Sequence, residues 1–487
     1  MSTSPKRAVV IGAGISGVVS AAHLRNEGLD VTVYERSSAA GGVWLYDERR
    51  PLEPAYPSVL PSKGEVYPDD PVLELTETET QAVRHAPPGP CYVGLKNNVG
   101  TRLLTTTLNS FPEGTEDYVS HSVLKDYIQD TAIKTGVERI THYGTEVKNL
   151  SKVNGKWKVE TVALERNSTG NVERKSTTSN FDVVVVASGH YHAPRVPDIP
   201  GIGDVKRQFP TRITHSKGYR TPERFANRNV LLIGASVSSS DIARELGPIA
   251  NSIYQSHRGG AFDLPASILP ENATRIEEVV AFELSKENAE AIDENEPLPV
   301  TIKLKSGQTL CGIHDILVCT GYHITVPFLP DLHSDNTAAA DASPITLVTD
   351  GTQLHNLHKD IFYIPDPSLV FVGVPYFTAT FTLFEFQAMV AAKVLAGKVN
   401  LPSEKGMREE YENRVALKGY GKTFHSLREK EVEYVNELLA FANPQLDTQL
   451  LGHTEVWHGA RAELVARMKA MFAGGNESAK ELGVTCA

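Results

Sequence analysis

The chain has 487 residues, 41% hydrophobic and 22% charged, so two or more globular domains are expected and large-scale disorder is excluded. Its 48 Lys and Arg against 59 Asp and Glu give a net charge of −11 with no polybasic block, which excludes nucleic acid as an expected partner. Cys91, Cys311, Cys319 and Cys486 form no CxxC pair, so neither a disulfide framework, a redox dithiol nor a zinc site is indicated, and a reducing, cytoplasmic setting is expected.

In chain order, MSTSPKR is too short and polar for a signal peptide. Residues 7–36, RAVVIGAGISGVVSAAHLRNEGLDVTVYER, then read as strand, GxGxxG turn (Gly12, Gly14, Gly17), helix, Gly28 as helix stop, and a second strand ending at Glu35 and Arg36. In such a βαβ unit the first glycine makes the tight turn, the second lets the backbone approach a pyrophosphate, and the third lets the helix pack on the strand. Glu35 stands where a carboxylate accepts hydrogen bonds from a ribose diol, so a dinucleotide is the expected ligand. GGVW (Gly41, Gly42, Trp44) follows, and residues 46–90 are proline-rich and aperiodic, as in a long loop draped over a scaffold. A helix is predicted from 120 to 136, and strands at KWKVETVAL from 156 and FDVVVVASG from 181.

Residues 229–258, NVLLIGASVSSSDIARELGPIANSIYQSHR, repeat the first unit, with Gly234 at the tight turn and small serines, Ser236 and Ser238, in place of the later glycines. Glu35 lies 23 positions after Gly12, and the residue 23 positions after Gly234 is His257, followed by Arg258. A carboxylate repels a ribose 2′-phosphate, whereas Arg258, with Ser256 and His257, would bind it. FAD in the first unit and NADPH in the second is therefore the expected pairing. Further strands are predicted at TIKLKSG from 301, DILVCTGY from 315 and 361–373, and a helix from 382 with a Thr382-x-x-Glu385 capping box and Gly397 as its stop. Pro375, Glu385 and threonines interrupt the apolar stretch 368–397, so no membrane anchor is expected. The sequons at Asn167, Asn272 and Asn476 are read as chance, and residues 272–297 as an acidic stretch within the second module.

Strands on both sides of the repeated unit need a common sheet. The expected fold is thus α/β, two doubly wound Rossmann-like domains with the NADPH domain inserted in the FAD domain: 1–204 and 330–472 for FAD, 205–329 for NADPH, and 473–487 a flexible tail.

FPTRITHSKGYR, with Phe209, His215, Ser216 and Tyr219, resembles the FxGxxxHxxx(Y/F) fingerprint of flavin-containing monooxygenases, Thr211 standing where that family has glycine. GGVW, LKNN (Leu95–Asn98) where the family has LxTN, SGHYHAPRVPDIPG from 188, CTGY from 319 and FEFQA from 384 are similar to family segments in the same order. The resemblance runs from about residue 7 to 401. It implies a flavin reduced by NADPH, capture of dioxygen as a 4a-hydroperoxide, and oxygenation of a nucleophilic nitrogen or sulfur of a small molecule, with the protein excluding water and stray protons. Asn98 then matches the family's catalytic asparagine, a donor without an acidic proton; its plainer reading is a turn residue in NNVG. By the same resemblance His215 and Tyr219 belong near the nicotinamide coenzyme, Gly42, Trp44 and Gln387 near the flavin, and the helix from 382 aims its N-terminus at the flavin ring. The Thr211 departure keeps a Baeyer-Villiger monooxygenase acting on a ketone as an alternative, and a non-catalytic flavin-binding protein is the reading from another class. No metal site is expected, and besides substrate and dioxygen a second copy of the chain, as a homodimer, is a candidate partner.

Overall fold

The computed structural model describes residues 5–68, 75–166, 172–285 and 293–473. The tail from 474, residues 286–292 of the acidic stretch, residues 69–74 of the proline-rich segment, and the Asn167 and Asn476 sequons lie outside the described residues.

The strand Arg7–Ile11 is flanked on both sides by parallel partners, Asp30–Tyr34 and Val183–Val186. Val183–Val186 is buried throughout, which suits a strand covered on both faces. Leu369–Phe371, more than 180 residues later, joins this sheet parallel to Val183–Val186. The second sheet is all parallel, in the order Ala273–Ile276, Ser252–Ser256, Asn229–Ile233, Asp315–Val318, Ile213–His215. One doubly wound domain is thus inserted in another, as its sequence order requires.

The two crossings between domains are zipped together: Ala193–Pro194 pairs antiparallel with Tyr322–His323. Beyond this junction Val196, Ile202 and Val205 pack with Ile213 and Leu231 in the second core, while Val326 and Leu329 pack with Val9 and Val184 in the first. The segments SGHYHAPRVP and CTGY are therefore the paired connectors that fix how the domains face one another.

Some local expectations are corrected. The helix Thr380–Leu395 begins before Thr382, whose hydroxyl donates to the carbonyls of Ala379 and Leu103 instead of capping. Glu385 is bound elsewhere, accepting from the Thr107 N–H at 2.8 Å and from its hydroxyl at 2.6 Å. The 46–90 segment contains a helix, Glu77–His85, started by a reciprocal capping box between Thr76 and Glu79. Of the cysteines, Cys91 and Cys319 are buried free thiols. Among the described residues no helix is long and apolar enough to cross a membrane, and no group of His, Cys, Asp and Glu is arranged to hold a metal ion.

Candidate cofactor sites and active site

The two βαβ turns are geometric copies. Gly12 has φ +102° and a Cβ there would lie 2.6 Å from the Ala187 carbonyl oxygen; Gly234 has φ +114° and its Cβ would lie 2.5 Å from that of Cys319. Both positions therefore exclude a side chain twice over, by conformation and by the neighbouring strand. At Gly17 a Cβ would fall 1.9 Å from the Gly12 carbonyl oxygen, so this glycine serves helix–strand packing.

Gly14 is different. A Cβ there would meet only Gly42 Cα, at an ordinary 3.5 Å, so the chain's own packing does not demand glycine. The helix behind it, Ile15–Asn26, has no side-chain cap, leaving first-turn N–H groups directed at the space that Gly14 keeps clear. That combination fits a pyrophosphate. Glu35, buried at the end of the next strand, accepts from the Ala13 N–H at 2.6 Å and the Ser37 N–H at 2.7 Å, which ties the strand end to the glycine turn. Arg36 is ion-paired with Glu65 at 2.7 Å. Gly42, exposed and at φ +57°, belongs to a turn docked on the loop through the Gly41 N–H to the Ala13 carbonyl, 3.0 Å; Trp44 packs on the first core.

In the second copy the helix Val237–Leu246 starts at Ser236, again with no side-chain cap. Ser238 is exposed in its first turn. The counterpart of Gly17 is Ser239, buried, its hydroxyl donating to the Ser236 carbonyl at 3.0 Å and accepting from Gln255 at 2.9 Å. Ser256 is buried, donates to the Glu277 carbonyl at 2.9 Å and accepts from the Val279 N–H. His257 lies 3.7 Å from Asp263, while Arg258 is exposed with no ion pair among the described residues.

Three further expected site residues are buried and bonded within the protein. His215 is fully buried, its ring bonded to the Gly321 carbonyl at 3.1 Å and the Lys217 N–H at 3.1 Å, so it braces the fingerprint segment against the connector. The Tyr219 hydroxyl donates to Glu245 at 2.6 Å inside the second core. Gln387, also fully buried, accepts from the Gly373 N–H at 3.0 Å and donates to the Tyr434 hydroxyl at 2.7 Å. In LKNN the structural asparagine is Asn97, which donates to the carbonyls of Val99 and Asp117 and accepts from the Val119 N–H. Asn98 is exposed, and its amide makes no hydrogen bond among the described residues.

These features, two anion cradles in one inserted α/β fold, meet their counterpart in known proteins. Residues 91–270 match the model of flavin-binding monooxygenase-like proteins and residues 10–57 that of an NAD(P)-binding Rossmann-like domain. Flavin-containing monooxygenase ustF2 of Aspergillus flavus is 48% identical, over 95% of this chain and 98% of that protein. The chain belongs to the flavin-containing monooxygenases. The fold is shared with S-allyl-L-cysteine S-oxygenase from Allium sativum, at TM-score 0.68 and 24% identity over 98% of this chain and 100% of that one. It is shared with Tmm from Pelagibacter sp. strain HTCC7211, at 0.70 and 20% over 96% and 91%. Cyclohexanone monooxygenase is more distant, at 0.54 and 14% over 93% and 100%.

This monooxygenase uses FAD and NADPH, and burial shifts the titratable groups at the junction between its two cofactor domains. Burial holds the His190 imidazolium down to about 4 and His323 to about 4; for His215 burial and the neighbouring Lys217 hold it down to about 3. All three are neutral at physiological pH. Lys217 itself is buried, donating to the His192 carbonyl at 2.8 Å and the Tyr67 hydroxyl at 3.2 Å, and burial with the nearby Arg36 lowers its pKa to about 7. Burial opposes charge on Glu65 too, but Arg36, His192 and Lys217 hold it down to about 2. Arg220, also buried, donates to the carbonyls of Asp47, Arg49, Gly89, Lys217 and Tyr219, clasping both ends of the proline-rich segment onto the fingerprint. Lys217 and Arg220 were missed in the sequence; the only signal was that two cations stand in a motif already singled out.

Proposed function

We propose that this enzyme oxygenates a nucleophilic nitrogen or sulfur of a small molecule, with FAD on the Gly12 module and NADPH on the Gly234 module. The observation that carries the placement is the pair of uncapped helix N-termini behind Gly14 and Ser236, with the Glu35 carboxylate beside one and the unpaired Arg258 beside the other. A carboxylate suits a ribose diol and an unpaired guanidinium suits a 2′-phosphate. When bound and reduced, FAD supplies the electrons that activate dioxygen. The chain's own part is binding, orientation and exclusion of protons. Asn98 supports an amide donor that stabilises negative charge on oxygen without offering an acidic proton. The neutral histidines at the junction support the same reading, since none of them is an acid at neutral pH; Lys217, which does titrate near neutrality, is held by the His192 carbonyl and the Tyr67 hydroxyl. The proline-rich segment, clasped by Arg220, shapes access to this cleft.

A nitrogen or sulfur acceptor is favoured over a ketone because the garlic S-oxygenase fold is the nearer match and cyclohexanone monooxygenase the more distant. The test is to purify the protein, confirm bound flavin, and measure NADPH oxidation and oxygenated product with a panel of amines, thioethers and ketones. Product from amines or thioethers is expected. Ester formation from ketones alone would replace this reading by the Baeyer-Villiger one, and flavin binding without NADPH oxidation by the non-catalytic one.

A further inference from the structure

Three cations converge where the first domain's C-terminal portion meets the second domain. Arg195 follows the connector Ala193–Pro194, Arg258 follows the strand Ser252–Ser256, and Lys422 lies between the helices Glu404–Lys418 and Glu431–Ala442. Backbone bonds gather these segments. The Arg195 N–H donates to the Gly321 carbonyl at 2.9 Å, the Ile324 N–H to that of Gly351 at 2.8 Å, and the Gly421 N–H to the Gln353 side chain at 2.5 Å. The Lys422 segment is also tied to the loop after Arg258. Arg428 lies over Phe377, 4.4 Å from its centroid, and 5.8 Å from that of Phe262, and it donates to the Ala261 carbonyl at 3.4 Å.

Among the described residues none of Arg195, Arg258 and Lys422 has a carboxylate within ion-pair distance or a side-chain hydrogen bond. Among the described residues the carboxylate in electrostatic reach of Arg195 and Lys422 is Asp350, which already accepts from the Thr352 N–H at 3.0 Å and hydroxyl at 2.6 Å. His323, the other titratable neighbour, is neutral. Burial first, then repulsion from Arg195 and Arg258, brings Lys422 down to about 8. Like charges held together with too little counter-charge oppose folding, and an anion placed between them reverses the sign of the interaction.

We infer that Arg195 and Lys422 join Arg258 in a phosphate clamp spanning both domains, which takes the adenosine 2′-phosphate of NADPH. The inference rests on the reading of the Gly234 module as the NADPH site. Three cations facing one carboxylate match a dianion in charge, and they come from three segments separated in sequence by more than 60 and 160 residues. Coenzyme choice is then set by the FAD domain as well as by the NADPH domain, and the phosphate draws the C-terminal portion against the inserted domain.

The test is calorimetric binding of adenosine 2′,5′-bisphosphate and of adenosine 5′-monophosphate to the FAD-loaded enzyme. Lys422→Gln and Arg195→Gln should each weaken the bisphosphate by about ten- to a hundredfold and leave the monophosphate within about twofold. Lys422→Arg should recover most of the loss. Wild-type enzyme should also take up protons on binding the bisphosphate at pH 8.5, as Lys422 is recharged, and not on binding the monophosphate; this holds the proposal to account even if a variant fails to fold. Wild-type bisphosphate affinity in Lys422→Gln and Arg195→Gln, with affinity lost in Arg258→Ala, would overturn the clamp and leave the NADPH site standing. Silence of Arg258→Ala as well would overturn the NADPH site itself. Equal losses for both nucleotides, or no proton uptake, would also overturn the clamp.

Discussion

Gly14→Ala should strip the flavin from the protein without unfolding the chain. Gly14 has φ −70° and ψ −178°, a conformation open to any residue, and its new Cβ would meet Gly42 Cα at an ordinary 3.5 Å. The methyl group instead fills the approach to the N–H groups at the start of Ile15–Asn26. Hydrogen bonds from such groups to an anion are worth about 1.5–3 kcal/mol each. Losing one or two costs about 2–5 kcal/mol, a fall in FAD affinity of roughly thirty- to several thousandfold. Gly17→Ala has the opposite signature. Its Cβ would lie 1.9 Å from the Gly12 carbonyl oxygen, and that backbone atom moves only if the helix leaves the strand. Overpacking of this kind costs about 1–3 kcal/mol or more, and each kcal/mol lowers Tm by about 2–4 °C in a domain of this size. The assay is flavin-fluorescence titration of apoprotein, with thermal unfolding of the same apoprotein. Full flavin retention by Gly14→Ala at a Kd within twofold of wild type would refute the reasoning. So would a loss of apoprotein stability in Gly14→Ala equal to that in Gly17→Ala.

Arg258→Ala should raise the NADPH KM by about ten- to a hundredfold with little change for NADH, the worth of one charge-assisted contact; equal losses for both coenzymes in steady-state kinetics would count against it. Asn98→Ala should bind FAD and be reduced by NADPH at close to the wild-type rate, while product falls and hydrogen peroxide rises, because its amide acts after reduction; unchanged coupling of NADPH to product would return Asn98 to a surface role. His215→Asn should lower Tm yet leave the NADPH KM within about twofold, since the histidine's bonds are internal; a large KM change with unchanged Tm would restore it to the coenzyme site. The depressed pKa values of His190, His215 and His323 also predict acid sensitivity. Each binds a proton more readily in the unfolded chain, so stability present above about pH 6.5 should be lost as pH falls toward about 4, and His215→Asn should flatten that slope in Tm against pH.

The βαβ units were legible because everything that makes them is local. A glycine at positive φ, an apolar strand, a helix and a terminal Glu35 or Arg258 all fall within 30 residues, and their 23-residue spacing is repeated at 12–35 and 234–257. The insertion was legible too, because parallel strands before and after the second unit need one sheet. Side-chain roles were a different matter. His215, Tyr219, Ser256 and Gln387 stand at motif positions, yet their polar atoms are satisfied by Gly321, Glu245, Glu277 and Gly373, all outside their own motifs and from 14 to 106 residues away. Whether a polar residue faces a ligand or the core depends on which partners the fold delivers, since a buried donor must be paired wherever its partner comes from. The same holds for the cations. Lys217 and Arg220 stand in the fingerprint and Arg195 in a family segment, yet residue type alone does not distinguish them or Lys422 from surface charges; the packing of connectors, proline-rich segment and C-terminal helices against one another removes much of their water. Local sequence determined the cradles, and tertiary burial decided which charges surround them, because hydration and Coulomb interactions depend on distance through space and not along the chain.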